Sequence, residues 1–145
     1  MTMNVGAILH EKGSDVVTIR PSATLAAAAQ TLDEKGIGAV VVTDEDGSIK
    51  GVLSERDITR QVARGGAAAL KEPAKEAMTA EVVTVTPGDS VDSVMALMTD
   101  RRIRHLPVIV DGALGGIVSI GDVVKRKIAA AEAESEAMKA YIATG

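Results

Sequence analysis

The sequence predicts an α/β fold of the α+β kind, in which one strand-helix-strand-strand-helix unit occurs twice. Two observations predict it. Residues 16–18 (VVT) and Pro21 recur 66 residues further on as residues 82–84 (VVT) and Pro87. A second block recurs at a distance of 65 residues, where Asp46, Gly47, Gly51, Ser54 and Asp57 match Asp111, Gly112, Gly116, Ser119 and Asp122. Because one such unit cannot cover both faces of its sheet, we expect the copies to pack on each other about a pseudo-twofold axis.

Each element of the unit has its own pattern. The β-branched segments VVTIRP and VVTVTP predict the first strand of each copy. The stretches ATLAAAAQTLDEKG and DSVDSVMALMTDRR carry apolar residues at helical spacing and predict helices, with Thr24 and Ser90 as candidate caps. IGAVVVTDEDGSIKGVLS and IRHLPVIVDGALGGIVS predict hairpins with glycine in the turn. DITRQVARG and DVVKRKIAAAEAESEAMKAYI predict closing helices, and VGAIL and AKEAM predict short helices that lead into each copy.

The repeat divides the chain into two units and a connector. We expect residues 1–66 to form the first unit with its own N-terminal lead-in helix, and residues 76–145 to form the second unit with a long C-terminal helix. Residues 67–75 are the connector, which is rich in alanine and can be loose because the entropy of loop closure grows slowly with length. Together the two units are expected to make one module.

Composition excludes several classes of protein. A net charge of −4 argues against a general nucleic-acid binder, which presents a basic face to phosphates. The chain has no cysteine, which excludes disulfides and thiolate chemistry. No apolar run approaches the roughly 20 residues of a membrane helix, and the first residues, MTMNVGAILHEKG, lack the pattern of a signal peptide. We therefore expect a cytoplasmic protein with neither a nucleic acid nor a membrane as partner.

The sequence shows little catalytic machinery. His10 and His105 are the only histidines and share no metal-ligand spacing. The chain has no Gly-x-Ser-x-Gly elbow, no P-loop and no His-Glu-x-x-His motif. The acidic turn at residues 44–47 lacks the distal glutamate of a calcium loop. We therefore predict no catalytic residues, no metal site and no enzyme, with a lone His105 as catalytic base the weaker alternative.

The repeated unit resembles a known family. Residues GIGAVVVTDEDGSIKGVLSERDI and RIRHLPVIVDGALGGIVSIGDVVK carry Gly, aliphatic, any residue, Ser, two residues and Asp where the last strand meets a helix. This unit, occurring as a tandem pair, resembles the cystathionine-β-synthase (CBS) domain over about residues 5–130. The resemblance implies a stand-alone pair that binds adenosine-containing ligands in clefts between the two units.

The resemblance also implies roles for the two repeated Ser-x-x-Asp turns. Asp57 and Asp122 would hold the ribose, since a carboxylate can accept hydrogen bonds from both of its hydroxyls. The phosphate side would be lined by hydroxyl groups, those of Ser54, Ser119, Thr18 and Thr84. The alternative needs no ligand, because an aspartate beside a serine at a helix start is an ordinary cap worth about 1 kcal/mol.

Basic and aliphatic residues complete the predicted site. A cluster in the second copy is the main candidate for neutralising phosphate charge: Arg101, Arg102, Arg104 and His105. Secondary candidates follow the two turns, at Arg56, Arg60, Lys125 and Arg126. The adenine is expected to contact aliphatic side chains of the hairpins and the second turn, Val40, Val42, Leu106, Val108 and Ile120. A solvated basic face and ordinary buried strands are the respective alternatives.

These features predict a regulatory, energy-sensing module that binds AMP, ADP or ATP, with NAD(H) or S-adenosylmethionine as further candidates. No cofactor is obligatory, and Mg²⁺ would accompany only a triphosphate. Helix 123–142 carries an apolar seam of Val124, Ile128, Ala131, Ser135, Met138 and Ile142, which predicts a homodimer. The module would control a separate, unidentified protein. The alternative is a ligand-free scaffold that dimerises through its helices.

Overall fold

Two hairpins, each followed by a helix, form the centre of the fold. The computed structural model describes residues 3–144. Its helices and strands are α1 (Val5–Lys12), β1 (Thr18–Ile19), α2 (Leu25–Lys35), β2 (Ala39–Thr43), β3 (Ile49–Ser54), α3 (Glu55–Gly65), α4 (Val91–Arg101), β4 (His105–Val110), β5 (Ala113–Ser119) and α5 (Ile120–Thr144). Two short 3-10 helices, Gly66–Lys71 and Ala74–Glu76, connect the copies. The predicted mixed fold of two units is confirmed.

The helices that follow the first strand of each copy begin at hydroxyl caps. Thr24 Oγ1 accepts a hydrogen bond from the Ala27 N–H at 3.1 Å, and Ser90 Oγ accepts one from the Ser93 N–H at 3.0 Å. These bonds satisfy donors that have no partner within the helix. The two caps predicted from the sequence are therefore confirmed.

The two sheets differ by one strand. In the first copy, β1 runs parallel to β2, and β2 pairs antiparallel with β3. In the second copy, β4 and β5 form an antiparallel pair, and the segment that matches β1 makes a single parallel bridge, Val85 with Val108. The first strand predicted from VVTVTP is therefore reduced to one bridge.

Pro107 explains this difference. In the first copy, the Val41 N–H donates to the Val17 carbonyl at 3.1 Å, which extends the pairing of β1. Pro107 stands at the matching position of the second copy, 66 residues further on, and has no N–H to donate. The matching carbonyl, that of Val83, has no ladder partner among the described residues.

The lead-in segments are exchanged between the copies. Val5 and Ile8 of α1 are buried in the core of the second copy. Ala74, which begins the second 3-10 helix, is buried in the core of the first copy. The Val5 N–H donates to the Asp89 carbonyl at 2.9 Å, and the Leu25 N–H donates to the Glu72 carbonyl at 2.9 Å. Each lead-in segment is thus hydrogen-bonded to the other copy's helix start.

This exchange corrects the predicted domain organisation. The boundaries 1–66, 67–75 and 76–145 follow the repeat in the sequence, but α1 packs on the second unit rather than on the first. The cause is the length of chain between α1 and β1, which is long enough for the lead-in helix to cross to the other sheet. The two copies therefore share their cores and make one module.

Two glycines make the crossing possible. A Cβ at Gly51 of β3 would lie 2.6 Å from Met78 Sδ and 2.8 Å from the Thr79 carbonyl oxygen. A Cβ at Gly116 of β5 would lie 2.8 Å from Leu9 Cδ2. Both lead-in segments therefore pass over their strands at distances that only glycine allows.

The end of α5 extends away from this body. Every described side chain from residue 131 to residue 143 is exposed. Apolar side chains remain exposed along the helix, with Ile128 at 54% and Ile142 at 70% of their maximum. Within residues 3–144, no helix combines the length and the hydrophobicity needed to cross a membrane.

We expect Gly51→Ala to destabilise the fold by about 1–3 kcal/mol, because its new methyl group meets backbone that cannot rotate away. Gly116→Ala should cost less, since the atom it meets ends a flexible leucine side chain. Gly88→Ala is the control, because no atom lies within 4 Å of its Cβ position. Equilibrium urea unfolding measures the three. Equal stability of the Gly51 and Gly88 variants would show that the close approach is not tight.

Candidate functional site

One cleft lies between the two copies and brings the first acidic turn against the second hairpin. Its volume is about 390 Å³, within the roughly 300–1,000 Å³ range of small-molecule sites. The first copy supplies Val52, Ser54, Glu55, Arg56, Asp57 and Arg60, and the second supplies Arg102, Ile103, Arg104, His105, Ser119, Ile120 and Gly121. The segment between the copies adds Thr79, Glu81, Val82 and Val83.

Asp57 is the buried carboxylate of this cleft, with 7% of its surface exposed. Its Oδ2 accepts the Ser54 backbone N–H at 2.9 Å and the Ser54 hydroxyl at 3.1 Å. The Asp57 N–H donates to Ser54 Oγ at 3.3 Å, which completes a capping box at the start of α3. The capping alternative is therefore real for Asp57, and the residue also lines the cleft.

The second oxygen of Asp57 is less engaged. The Arg60 guanidinium approaches Oδ1 at 3.4 Å, and the Arg60 side chain is 55% exposed. Surface ion pairs of this kind contribute little, so Arg60 is able to move. Asp57 Oδ1 is thus the acceptor that a ligand hydroxyl can reach.

Four arginines line the same cleft: Arg56, Arg60, Arg102 and Arg104. They face three carboxylates, those of Glu55, Asp57 and Glu81. Guanidinium groups bind phosphate oxygens through paired hydrogen bonds, so the cleft can hold an anionic group. Arg101 does not line the cleft among the described residues, although it was predicted with its neighbours.

Arg102 is held in an unusual backbone conformation. It ends α4 with φ 55, in the left-handed region, where the first copy has Gly36 with φ 64. A side chain in this region costs roughly 1–2 kcal/mol, which glycine avoids. The second copy therefore carries an arginine at the mouth of the cleft at some cost in stability.

His105 is half-buried beside this cluster. Burial lowers the pKa of the imidazole below its usual value, and the nearby Glu55 only partly opposes this effect. His105 is therefore neutral at pH 7 and offers one donor and one acceptor to the cleft.

The second acidic turn lies elsewhere. Asp122 lines a separate crevice of about 100 Å³ with α1 residues, including Lys12. Asp122 Oδ2 accepts the Ser119 N–H at 2.8 Å and the Lys12 ammonium at 2.7 Å. Burial alone would raise the pKa of Asp122, but the hydrogen bonds from Lys12 and Ser119 outweigh it and lower that pKa. The two aspartates that the sequence treated as equivalent thus occupy different environments.

The hydroxyl candidates divide in the same way. Ser54 and Ser119 both line the main cleft. Thr18 lies at a different surface depression with Arg20 and Asp44. Thr84 is exposed and is absent from the described lining of the cleft. Neither threonine lies where the prediction puts it, because the chain turns away from the cleft after residues 82 and 83.

The predicted adenine contacts need a larger correction. Val40, Val42, Leu106 and Val108 have no exposed surface, so they cannot touch a ligand in the cleft. They face the two hydrophobic cores, which is the alternative role of a buried strand. Ile120 does line the cleft.

Sequence reasoning missed most of the apolar lining. Val52, Val82, Val83 and Ile103 supply it instead. Val82 and Val83 belong to the repeated VVT segment, which the sequence predicts as a strand. The only available signal was Pro107, since loss of its N–H leaves the end of this segment outside the sheet.

The comparisons with known proteins agree with this architecture. A family model described as the CBS domain matches residues 5–64 and 74–128. The chain belongs to the CBS-domain family. The cleft therefore lies between the two CBS units of a tandem pair, and the resemblance noted in the sequence is confirmed.

Relatives with this domain include curated proteins from a plant and a bacterium. The mitochondrial CBS domain-containing protein CBSX3 of Arabidopsis thaliana is 38% identical over 122 residues, which cover 81% of this chain and 59% of that protein. The CBS domain-containing protein YhcV of Bacillus subtilis is 34% identical over 109 residues, which cover 75% of this chain and 76% of that protein. This chain thus spans little more than half the length of the plant relative.

Solved structures of CBS proteins match most of the chain. ATU1752 from Agrobacterium tumefaciens is 46% identical with a TM-score of 0.84, covering 86% of this chain and 99% of that one. The CBS domain pair of MJ0100, solved in complex with 5′-methylthioadenosine and S-adenosyl-L-methionine, is 26% identical with a TM-score of 0.76. That match covers 86% of this chain and 95% of the MJ0100 chain.

We expect Arg102→Gly to be more stable than Arg102→Ala by about 1 kcal/mol, because only glycine relieves the left-handed backbone at this position. Both variants lose the same guanidinium, so their difference isolates the backbone. Thermal unfolding at one pH and salt concentration measures it. Identical melting temperatures for the two variants would contradict the assignment of strain to Arg102.

Proposed function

We propose that this CBS pair is a regulatory module that binds one class of ligand, an adenosine-containing molecule, in the cleft between its units. Adenine nucleotides are the first candidates, and NAD(H) and S-adenosylmethionine are the next. Ligand binding would change the packing of the units or the geometry of a dimer and so control a separate protein. Such control requires different affinities for the two arrangements. The chain would not itself catalyse a reaction.

The observation that carries this proposal is the combination of groups in one cleft. A buried carboxylate with one accessible oxygen, that of Asp57, lies among four arginines and a set of aliphatic side chains. A carboxylate suits ribose hydroxyls, arginines suit phosphates, and aliphatic side chains suit the faces of a flat base. Adenosine phosphates carry all three parts. Ser54 and Ser119 would meet phosphate or sugar oxygens from the two sides of the cleft.

A relative supports the class of ligand. The MJ0100 pair binds 5′-methylthioadenosine and S-adenosyl-L-methionine in its solved structure. Both molecules share adenosine and lack a phosphate, so they do not explain the arginines seen here. The arginines favour a phosphorylated adenosine for this chain, and the choice between these ligands is left to a direct screen.

We expect at least one adenosine compound to raise the melting temperature. The screen comprises AMP, ADP, ATP with and without Mg²⁺, NAD, S-adenosylmethionine and 5′-methylthioadenosine, with GMP as the control for the base. A ligand present at 100 times its Kd adds about 2.7 kcal/mol of stability, and each kcal/mol raises the melting temperature by about 2–4 °C. No shift with any compound would favour the ligand-free scaffold.

The same screen tests Asp57 through Asp57→Asn. The asparagine side chain retains an oxygen that can accept the Ser54 N–H, so the cap at α3 is largely preserved. The charge that would hold the ribose is lost, and the ligand-induced shift should fall by more than half. An unchanged shift in a stable Asp57→Asn protein would mean that Asp57 is only a cap.

We also propose a homodimer formed through α5. The end of this helix has no cover within the chain, since residues 131–143 are exposed. Met138 is 59% exposed and Ile142 is 70% exposed, on the same face as Ile128. Apolar residues at spacings of three and four match the seam of two packed helices. A second copy supplies an identical seam, so one interface covers both.

We expect the wild type to sediment as a dimer and Met138→Lys/Ile142→Lys to sediment as a monomer. The matched control is Ala133→Lys/Ala137→Lys, which adds the same charge on the opposite face of α5 and should remain dimeric. Analytical ultracentrifugation at micromolar concentration measures all three. A monomeric wild type, or a control that dissociates equally, would rule out this seam as the interface.

A further inference from the structure

A lysine from the exchanged lead-in helix occupies the second acidic turn. Lys12 Nζ donates to Asp122 Oδ2 at 2.7 Å and to the Ile117 carbonyl at 3.1 Å. The ammonium therefore satisfies a carboxylate and a neighbouring backbone acceptor together. Sugar hydroxyls would donate to the same kinds of acceptor. The second turn already holds an internal partner where a ligand would bind.

The first copy shows what this position looks like without such a lysine. Val52 matches Ile117 in the repeat, and its carbonyl accepts the Thr79 backbone N–H at 2.9 Å. The lead-in segment of the first sheet thus pairs through its backbone and places Thr79 at the edge of the cleft. Asp57 is approached only by the mobile Arg60 of its own helix.

The difference comes from where each lead-in helix ends. Leu9 is the residue seated over Gly116, and α1 continues beyond it to Lys12 before Gly13 ends the helix with φ 98. In the other lead-in segment, Met78 is seated over Gly51 and the next residue, Thr79, is already extended. One further helical turn therefore carries Lys12 to Asp122.

The two turns consequently differ in available space. Asp57 lines a cleft of about 390 Å³, whereas Asp122 lines a crevice of about 100 Å³. The smaller volume is below the range of small-molecule sites. The Lys12 side chain is 35% exposed, so it is held at the surface and can swing away without unfolding α1.

We propose that Lys12 is a built-in competitor that closes a second ligand site at Asp122. The module then binds one adenosine-containing ligand per chain, at Asp57, and exposes a second site only when Lys12 is displaced. This inference rests on the proposed function, because it concerns the number of ligands that the pair accepts. It makes the two copies unequal by design of one helix end.

Isothermal titration with AMP tests the proposal on four proteins. We expect one AMP per chain for the wild type and two for Lys12→Ala. Lys125→Ala is the matched control, because Lys125 lines the same crevice but makes no bond to Asp122; it should bind one. The double variant Lys12→Ala/Asp122→Asn should return to one. Lys12→Gln, which removes the charge and keeps most of the stem, is titrated in parallel and should gain the second AMP more weakly.

The outcomes separate this proposal from the proposed function. If Lys12→Ala and Lys12→Gln bind no more AMP than the wild type, Lys12 does not close a site. Two AMP per wild-type chain, or an added site that survives Asp122→Asn, also overturns the proposal. If the wild type binds no AMP but Lys12→Ala binds one that Asp122→Asn removes, the site at Asp57 fails while the closure by Lys12 stands.

Discussion

The close passage of each lead-in segment over a glycine is the constraint on which the rest of the structure depends. Gly51 and Gly116 allow Met78 and Leu9 to lie directly on the strands of the opposite copy. Each core is therefore completed by chain that belongs, in sequence, to the other unit. The copies cannot separate without exposing both cores. The cleft between them is thus held by the same packing that stabilises the fold.

That exchange is reciprocal, but its two halves are not identical, and the difference reaches the functional sites. One segment ends in backbone pairing at Thr79, and the other ends in a helical turn that carries Lys12. Pro107 adds a second asymmetry by keeping the Val82–Val83 segment out of the sheet and beside the cleft. Two nearly equal units therefore give one open cleft and one closed crevice.

The sequence predicts the repeat, the order of the elements and the caps at Thr24 and Ser90, because these depend on local pattern. It predicts Asp57, Ser54 and the cluster around Arg104 as cleft residues, since a turn before a helix is a local feature. It does not predict that α1 crosses to the other unit, because crossing depends on packing between distant segments. For the same reason, it assigns Val40 and Leu106 to a ligand although both lie in the cores.

Asp57 shows why capping and ligand binding need not be competing explanations. The cap uses Oδ2, which accepts both bonds from Ser54, and leaves Oδ1 toward the cleft with one long contact to Arg60. The capping bonds fix the side chain, so a ligand that binds Oδ1 loses little entropy in ordering it. A carboxylate already rigid in the unliganded protein is preorganised for hydroxyl donors. At Asp122, the capping bond from Ser119 is the same, but the remaining capacity of the carboxylate is taken by Lys12. The cap is therefore common to both copies, and what differs is whether an internal cation reaches it first.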